Sequence, residues 1–362
     1  MQFTKKDTSL VKGVAILMML FHHCFESTGR YAGFEMNFFP LTESQTVTIA
    51  SFFKICVALF VFLSGYGIAK TLEKTPEDGY KRQICRRTFS LMSGFWFIFV
   101  LSIISSAIIM PSMLNVYNDP HIINRFIFVL YDFLGLSELF GTPTLIGTWW
   151  YMSLALIIIA IMPVLYRFYK KYGMIALLVV TFLFNGFIKH AFDDKIVNFD
   201  MIRWTFTLEL GMICADKDLL VKIKEFKWIK KNRVVDYILK LFVYSAILGL
   251  CVYERRYMDC NVSYLRDGII PLFVVIYCYT ILAPIPGLRN ILWFLGKHSM
   301  NIFLSHTLLR AFFLKDFLYG LKYSMLTFGV LLVLSVLLSI IIDLLKKYTG
   351  YDKLCSKINS KI

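Results

Sequence analysis

Lys12 and His23 stand eleven residues apart in "VKGVAILMMLFHHC" (11–24), with no acidic or basic side chain between them except His22. At 3.6 residues per turn this is just over three turns, so the two share one face of a helix. The rise of 1.5 Å per residue separates them by roughly 16 Å along it. Lys12 then sits at the inner edge of a membrane helix and His23 past its midplane. An ionisable group inside a bilayer is costly and marks a functional site by default. The plainer alternative is a structural histidine bonded to a neighbouring helix. His22 points about 100° away, so the two imidazoles differ in role or one is incidental. Glu26, one turn beyond His23, is placed to hydrogen-bond the imidazole and set its tautomer.

Further along, "KRQICRR" (81–87) sets Arg82 and Arg86 four residues apart on one face, with Arg87 beside them. Two forked guanidiniums at that spacing suit a polyanion such as phosphate. The alternative is a positive-inside anchor, which spacing alone favours. In "ALFVFLSGYGIAK" (58–70), Ser64 and Gly65 interrupt an apolar run. Small residues there allow close helix packing or the approach of a ligand to the backbone. Trp149, Trp150 and Tyr151 open "WWYMSLALIIIAIMPVLY" and read as an aromatic belt or as a surface on which a sugar ring stacks. His306 lies about nine residues into a later apolar helix, at a depth similar to His23. A second such histidine points to a shared polar site. Arg203 and Glu209, in "RWTFTLELG", are further buried ionisable candidates, or an ordinary intramembrane pair.

These residues need membrane helices to hold them. The 362 residues are 58% hydrophobic and 17% charged, against about 25% charged in soluble domains. The apolar residues gather into runs of spanning length. The expected fold is all-α, a polytopic bundle of about ten transmembrane helices near 9–27, 46–70, 88–111, 147–167, 173–190, 199–215, 237–254, 266–284, 297–314 and 325–346. The shorter, charge-interrupted 122–137 reads as interfacial or re-entrant. Residues 1–350 form one membrane domain, and 351–362 a short basic tail.

Lys and Arg concentrate in alternate loops, seven of them in 217–233, which puts both termini in the cytoplasm. The net charge of +15 is thus a matter of juxtamembrane loops and lipid contact, and nucleic acid is not expected. The eight cysteines show no C-x-x-C spacing and no metal pattern. The longest outer loops, 28–45 and 112–146, either close over a site from outside or simply connect helices. No P-loop, G-x-S-x-G or H-E-x-x-H is present, and "HHCFES" has Ser27 where an HHxxxD acyltransferase needs aspartate.

In order along the chain, these stretches resemble the acyltransferase 3 family. "KGVAILMMLFHH" resembles its R/K-x10-H motif, "FVFLSGYGIA" its "FFVLSGFLI", and "RQICR" its R-x3-R. "TWWYMSLALIIIAIMPVL" is similar to "WFLxxxxxxYxxxPxL", "RWTFTLELG" to "RFxxFxxG", and "LGKHSMNIFLSH" to "LGxxSYxIYLxH". Lys12 departs from the commoner Arg, and Met300 and Phe303 stand where Tyr is usual.

The resemblance implies a bacterial inner-membrane O-acyltransferase, most readily an O-acetyltransferase. Acetyl-CoA would be the cytoplasmic donor, a cell-surface or exported glycan or lipid-linked saccharide the acceptor, and no metal is needed. On that basis Lys12, Arg82, Arg86, Arg87, Ser64 and Gly65 bind CoA. His23 is general base or acyl carrier, aided by Glu26 and His306. Trp149, Trp150, Tyr151, Arg203 and Glu209 face the acceptor. No fused SGNH domain is expected, so a second transfer step would need a partner acyltransferase or another copy of this chain. The rival reading is a secondary transporter or polysaccharide exporter with a proton path through His23, Glu209 and His306.

Overall fold

The computed structural model describes residues 3–191, 204–257 and 263–362. Among the described residues there are helices and loops but no strand, and one isolated bridge joins Asn37 to Tyr323. In hydrocarbon a spanning chain must satisfy its backbone groups within itself, which a helix does locally.

The first half of the chain holds α1 (Lys5–Phe25), α2 (Glu43–Phe52), α3 (Cys56–Leu72), α4 (Tyr80–Ile109), α5 (Ile122–Phe133), α6 (Ser137–Phe140) and α7 (Trp150–Ala191). The second half holds α8 (Thr205–Asp216), α9 (Leu219–Glu225), α10 (Arg233–Tyr257), α11 (Ser263–Tyr277) and α12 (Pro286–Lys297). It continues with α13 (Ser299–Thr307), α14 (Lys315–Gly320), α15 (Ser324–Tyr348) and α16 (Tyr351–Lys361). π-helical turns extend α11 over Cys278–Leu282 and α13 over Leu308–Phe313.

Among the described residues, seven stretches are long and apolar enough to cross a membrane: Lys5–Phe25, Glu43–Leu72, Glu77–Ile109, Gly147–Asn185, Arg233–Tyr257, Leu265–Leu282 and Ser324–Tyr348. They account for eight of the ten expected spans, because Gly147–Asn185 contains two, parted where Gly173 turns to φ +84°. The other two expected spans fall on α8, which has 12 described residues, and on α13 with its π-helical turn, and neither is among the seven. In the expected interfacial segment, α5 has 12 residues, or about 18 Å of helix, too short to span.

One expectation needs correction. Residues 284–297, which the expected spans 266–284 and 297–314 leave as a connecting loop, contain α12, which packs along α1. Its 12 residues fall below spanning length, so hydropathy passed over it. The basic tail is a helix, α16, docked on α4. The Tyr351 hydroxyl donates to the Ser93 carbonyl at 2.7 Å, and its ring lies 5.0 Å from Phe97.

A capping box between Thr4 and Asp7 starts α1, and the helix then runs through the middle of the bundle, touching α2, α3, α12, α13 and α15. Its partner α12 lies against it backbone to backbone. A Cβ on Gly13 would sit 2.0 Å from the Leu292 carbonyl oxygen, and one on Gly296 would sit 1.7 Å from that of Ser9. A second such pair is α3 with α8, through Gly65 against Leu208 and Gly211 against Phe62. Small residues at these crossings are what lets the helices close.

Candidate active site

The α1–α13 contact brings His23 and His306, each in the last turn of its helix, together. The rings of His23 and His306 are 5.1 Å apart, centroid to centroid. His306 is fully buried and held. Its Nδ1–H donates to the carbonyls of Phe303 at 2.8 Å and Ile302 at 3.1 Å. A carbonyl only accepts, so the proton is on Nδ1 and Nε2 accepts from the Thr307 hydroxyl at 3.2 Å. Thr307 in turn meets Thr148 at 3.3 Å. His306 is therefore fixed in one tautomer.

His22 is equally committed. Its Nδ1 lies 2.7 Å from the Ala50 carbonyl oxygen and its Nε2 lies 2.7 Å from a Glu26 carboxylate oxygen. Here the expectation for Glu26 is corrected, since its carboxylate meets His22, four residues back, and Arg30, four residues on. Positions four apart on a helix stack on one face, and that geometry prefers His22 to His23. The hydrogen bond from His22, helped by Arg30, holds the Glu26 carboxyl down at about 2.

His23 is left over. Its Nδ1 is buried without a hydrogen-bond partner, and the ring is only partly enclosed. Among the three clustered histidines it alone has a nitrogen to spare. The ligand atoms of His22, His23 and Glu26 lie within 4.8 Å of one another. In this arrangement those of His22 and Glu26 are already engaged by Ala50, by each other and by Arg30.

Residues beyond the expected set complete the outer side. Arg310, on the π-helical turn one helical turn past His306, is 4% exposed, and its Nε has no partner. Its charge acts on both His23 and His306, and its guanidinium faces the Tyr319 hydroxyl. Tyr319 donates to the carbonyl of Cys24, next to His23, at 3.1 Å. The loop 28–45 covers this end. Tyr31 donates to Glu43 at 2.9 Å, and the ring of Phe34 lies 5.7 Å from that of Tyr319. Only the spacing of four between His306 and Arg310 could have flagged the arginine in the sequence.

Toward the expected cytoplasmic end of α1, Lys12 is close enough to Arg87 for the two charges to repel. Arg87 donates to the Gly67 carbonyl at 3.0 Å and to the Thr71 hydroxyl, which fixes it on α3. Arg86 keeps its buried Nε unpartnered, while the Arg82 Nε donates to the Ile362 carbonyl at 2.7 Å. Arg86 thus keeps a donor unused next in sequence to the Arg87 that faces Lys12.

The remaining expected residues lie elsewhere or do something else. Gly65 is filled by the α8 backbone, which leaves no room there for a ligand. Ser64 donates to the Phe60 carbonyl at 2.8 Å and faces the Tyr151 hydroxyl. Trp149 is buried at 3% exposure, and its indole N–H donates to the Leu304 carbonyl at 3.0 Å, so it is a clamp between α7 and α13. It serves neither as a belt residue nor as a stacking surface. Trp150 packs edge-on against Tyr151, whose ring reaches Phe303 at 5.5 Å and through it the histidine pair. The buried Glu209 is bonded to Thr181 on α7 and is not among the partners of either histidine. Arg203 lies outside the described residues.

A family model described as an acyltransferase domain matches residues 7–344. No curated protein and no solved structure matches the chain.

Proposed function

The chain belongs to the acyltransferase 3 family, and on that premise we propose that it moves an acyl group, most readily acetyl, from cytoplasmic acyl-CoA to a glycan hydroxyl at the outer face. The observation that carries this reading is His23. It is an imidazole in the last turn of α1 with a buried free nitrogen, on the same helix as a cation three turns earlier.

In this reading Lys12, Arg86 and Arg87 hold the phosphates of CoA, and the pantetheine arm lies along α1 with the thioester at His23. His23 takes the proton from the acceptor hydroxyl as its oxygen attacks the thioester carbonyl carbon. The C–S bond then breaks, the oxygen ester remains, and the departing thiolate takes the proton from His23. His306, fixed by Phe303 and Thr307, positions the His23 ring. Trp150, Tyr151 and Phe303 line the approach of the acceptor. The setting is a bacterial inner membrane, and a glycan or lipid-linked saccharide is the acceptor class.

The test is release of CoA from acetyl-CoA by purified protein in lipid nanodiscs, wild type beside His23→Ala and Arg86→Ala. Wild-type turnover, with His23→Ala at least a hundredfold slower yet still binding CoA, supports the assignment. A wild type that neither binds nor consumes acyl-CoA overturns it.

A further inference from the structure

Attack on a thioester places a full negative charge on the carbonyl oxygen, and in a water-poor site that charge needs a preorganised donor. Two cations whose charge reaches both His23 and His306 are Arg30 and Arg310. Arg30 is already paired with the Glu26 carboxylate. Arg310 has no carboxylate partner among the described residues, although it is 4% exposed and its Nε is orphaned. A buried, unpaired guanidinium is expensive, and the fold nevertheless fixes it in place. It rides on a π-helical turn, a feature common at functional sites, and it faces Tyr319, which is tied to the backbone beside His23.

We infer that Arg310 is the oxyanion donor of the reaction, its guanidinium taking the charge that forms on the thioester oxygen beside His23. The inference rests on the acyl-transfer reading above. As the acceptor oxygen forms its bond to the carbonyl carbon, the C=O electron pair moves onto oxygen and is held by the Arg310 N–H groups. It returns to carbon as the C–S bond breaks and CoA leaves as thiolate, which takes the proton from His23. Arg310 itself is unchanged through the cycle.

The experiment measures acetyl-CoA turnover and CoA affinity for wild type, Arg310→Gln and Arg310→Lys in nanodiscs, with thermal unfolding as the check on folding. Arg310→Gln is expected to lose about 10²–10³ in kcat, with KM and the Kd for CoA within twofold of wild type. Methylguanidinium is expected to restore part of that rate and to do nothing for His23→Ala. Arg310→Lys, which loses the planar fork, is expected to fall at least tenfold in kcat, so it carries the test if the Gln variant does not fold. A folded Gln or Lys variant at the wild-type rate overturns the inference, as does a loss confined to CoA affinity. A wild type that turns over beside an equally fast Arg310 variant removes this inference alone. A wild type that consumes no acyl-CoA removes the acyl-transfer reading and this inference with it.

Discussion

His23, His22 and His306 share one neighbourhood, yet their hydrogen bonds give them three different jobs. The Nδ1 of His306 is spent on backbone carbonyls, and His22 bridges Ala50 and Glu26. His23 is the one free to exchange a proton, so His23→Ala is expected to lower kcat by about 10²–10⁴, measured as CoA release. Thr307→Val takes the hydroxyl from the Nε2 of His306 and is expected to slow turnover by about tenfold while CoA binding stays unchanged.

Glu26 supplies the pH term. Its folded carboxyl sits near 2 against an ordinary 4.5, so the folded state binds that proton less readily than the unfolded chain. Its contribution to stability is complete above about pH 4.5 and is lost as pH falls toward 2. Thermal unfolding of Glu26→Gln should therefore lose part of the acid dependence seen in wild type between those values. An unchanged acid limb in Glu26→Gln would count against the ion pair.

At the scale of helices, two glycine crossings position the site. Adding a Cβ at Gly13 forces α1 away from Leu292, and overpacking of this kind costs about 1–3 kcal/mol. Gly13→Ala is expected to lower the unfolding temperature and to slow CoA release in parallel, because α1 carries both Lys12 and His23. Much of this level was legible in the sequence. Runs of spanning length marked the long helices, and the spacing of eleven put Lys12 and His23 on one face. What stayed hidden depends on contacts between distant segments. Neither the partner of Glu26, nor the Trp149 clamp to Leu304, nor the unpaired state of Arg310 follows from local pattern. Residues 286–297 also escaped, because 12 amphipathic residues ending in Lys resemble a loop to a hydropathy window.

For the molecule as a whole, charge asymmetry and helix order put the arginines of α4 on one side and the cap 28–45 on the other. Cysteines report on this directly. Cys85 is exposed near the arginines, whereas Cys24, Cys56, Cys214 and Cys278 are buried. With Cys251, Cys260 and Cys355 changed to Ser, an impermeant maleimide is expected to label Cys85 in inside-out vesicles and not in right-side-out ones. Labelling from the outside would reverse the topology and the direction of transfer. The glycine contact between α1 and α12 has one more consequence, and it concerns motion. A helix pinned at Gly13 and at the Ser9–Gly296 crossing cannot slide like a piston. The central helix is then a fixed post of the site, and any rearrangement there falls to its neighbours.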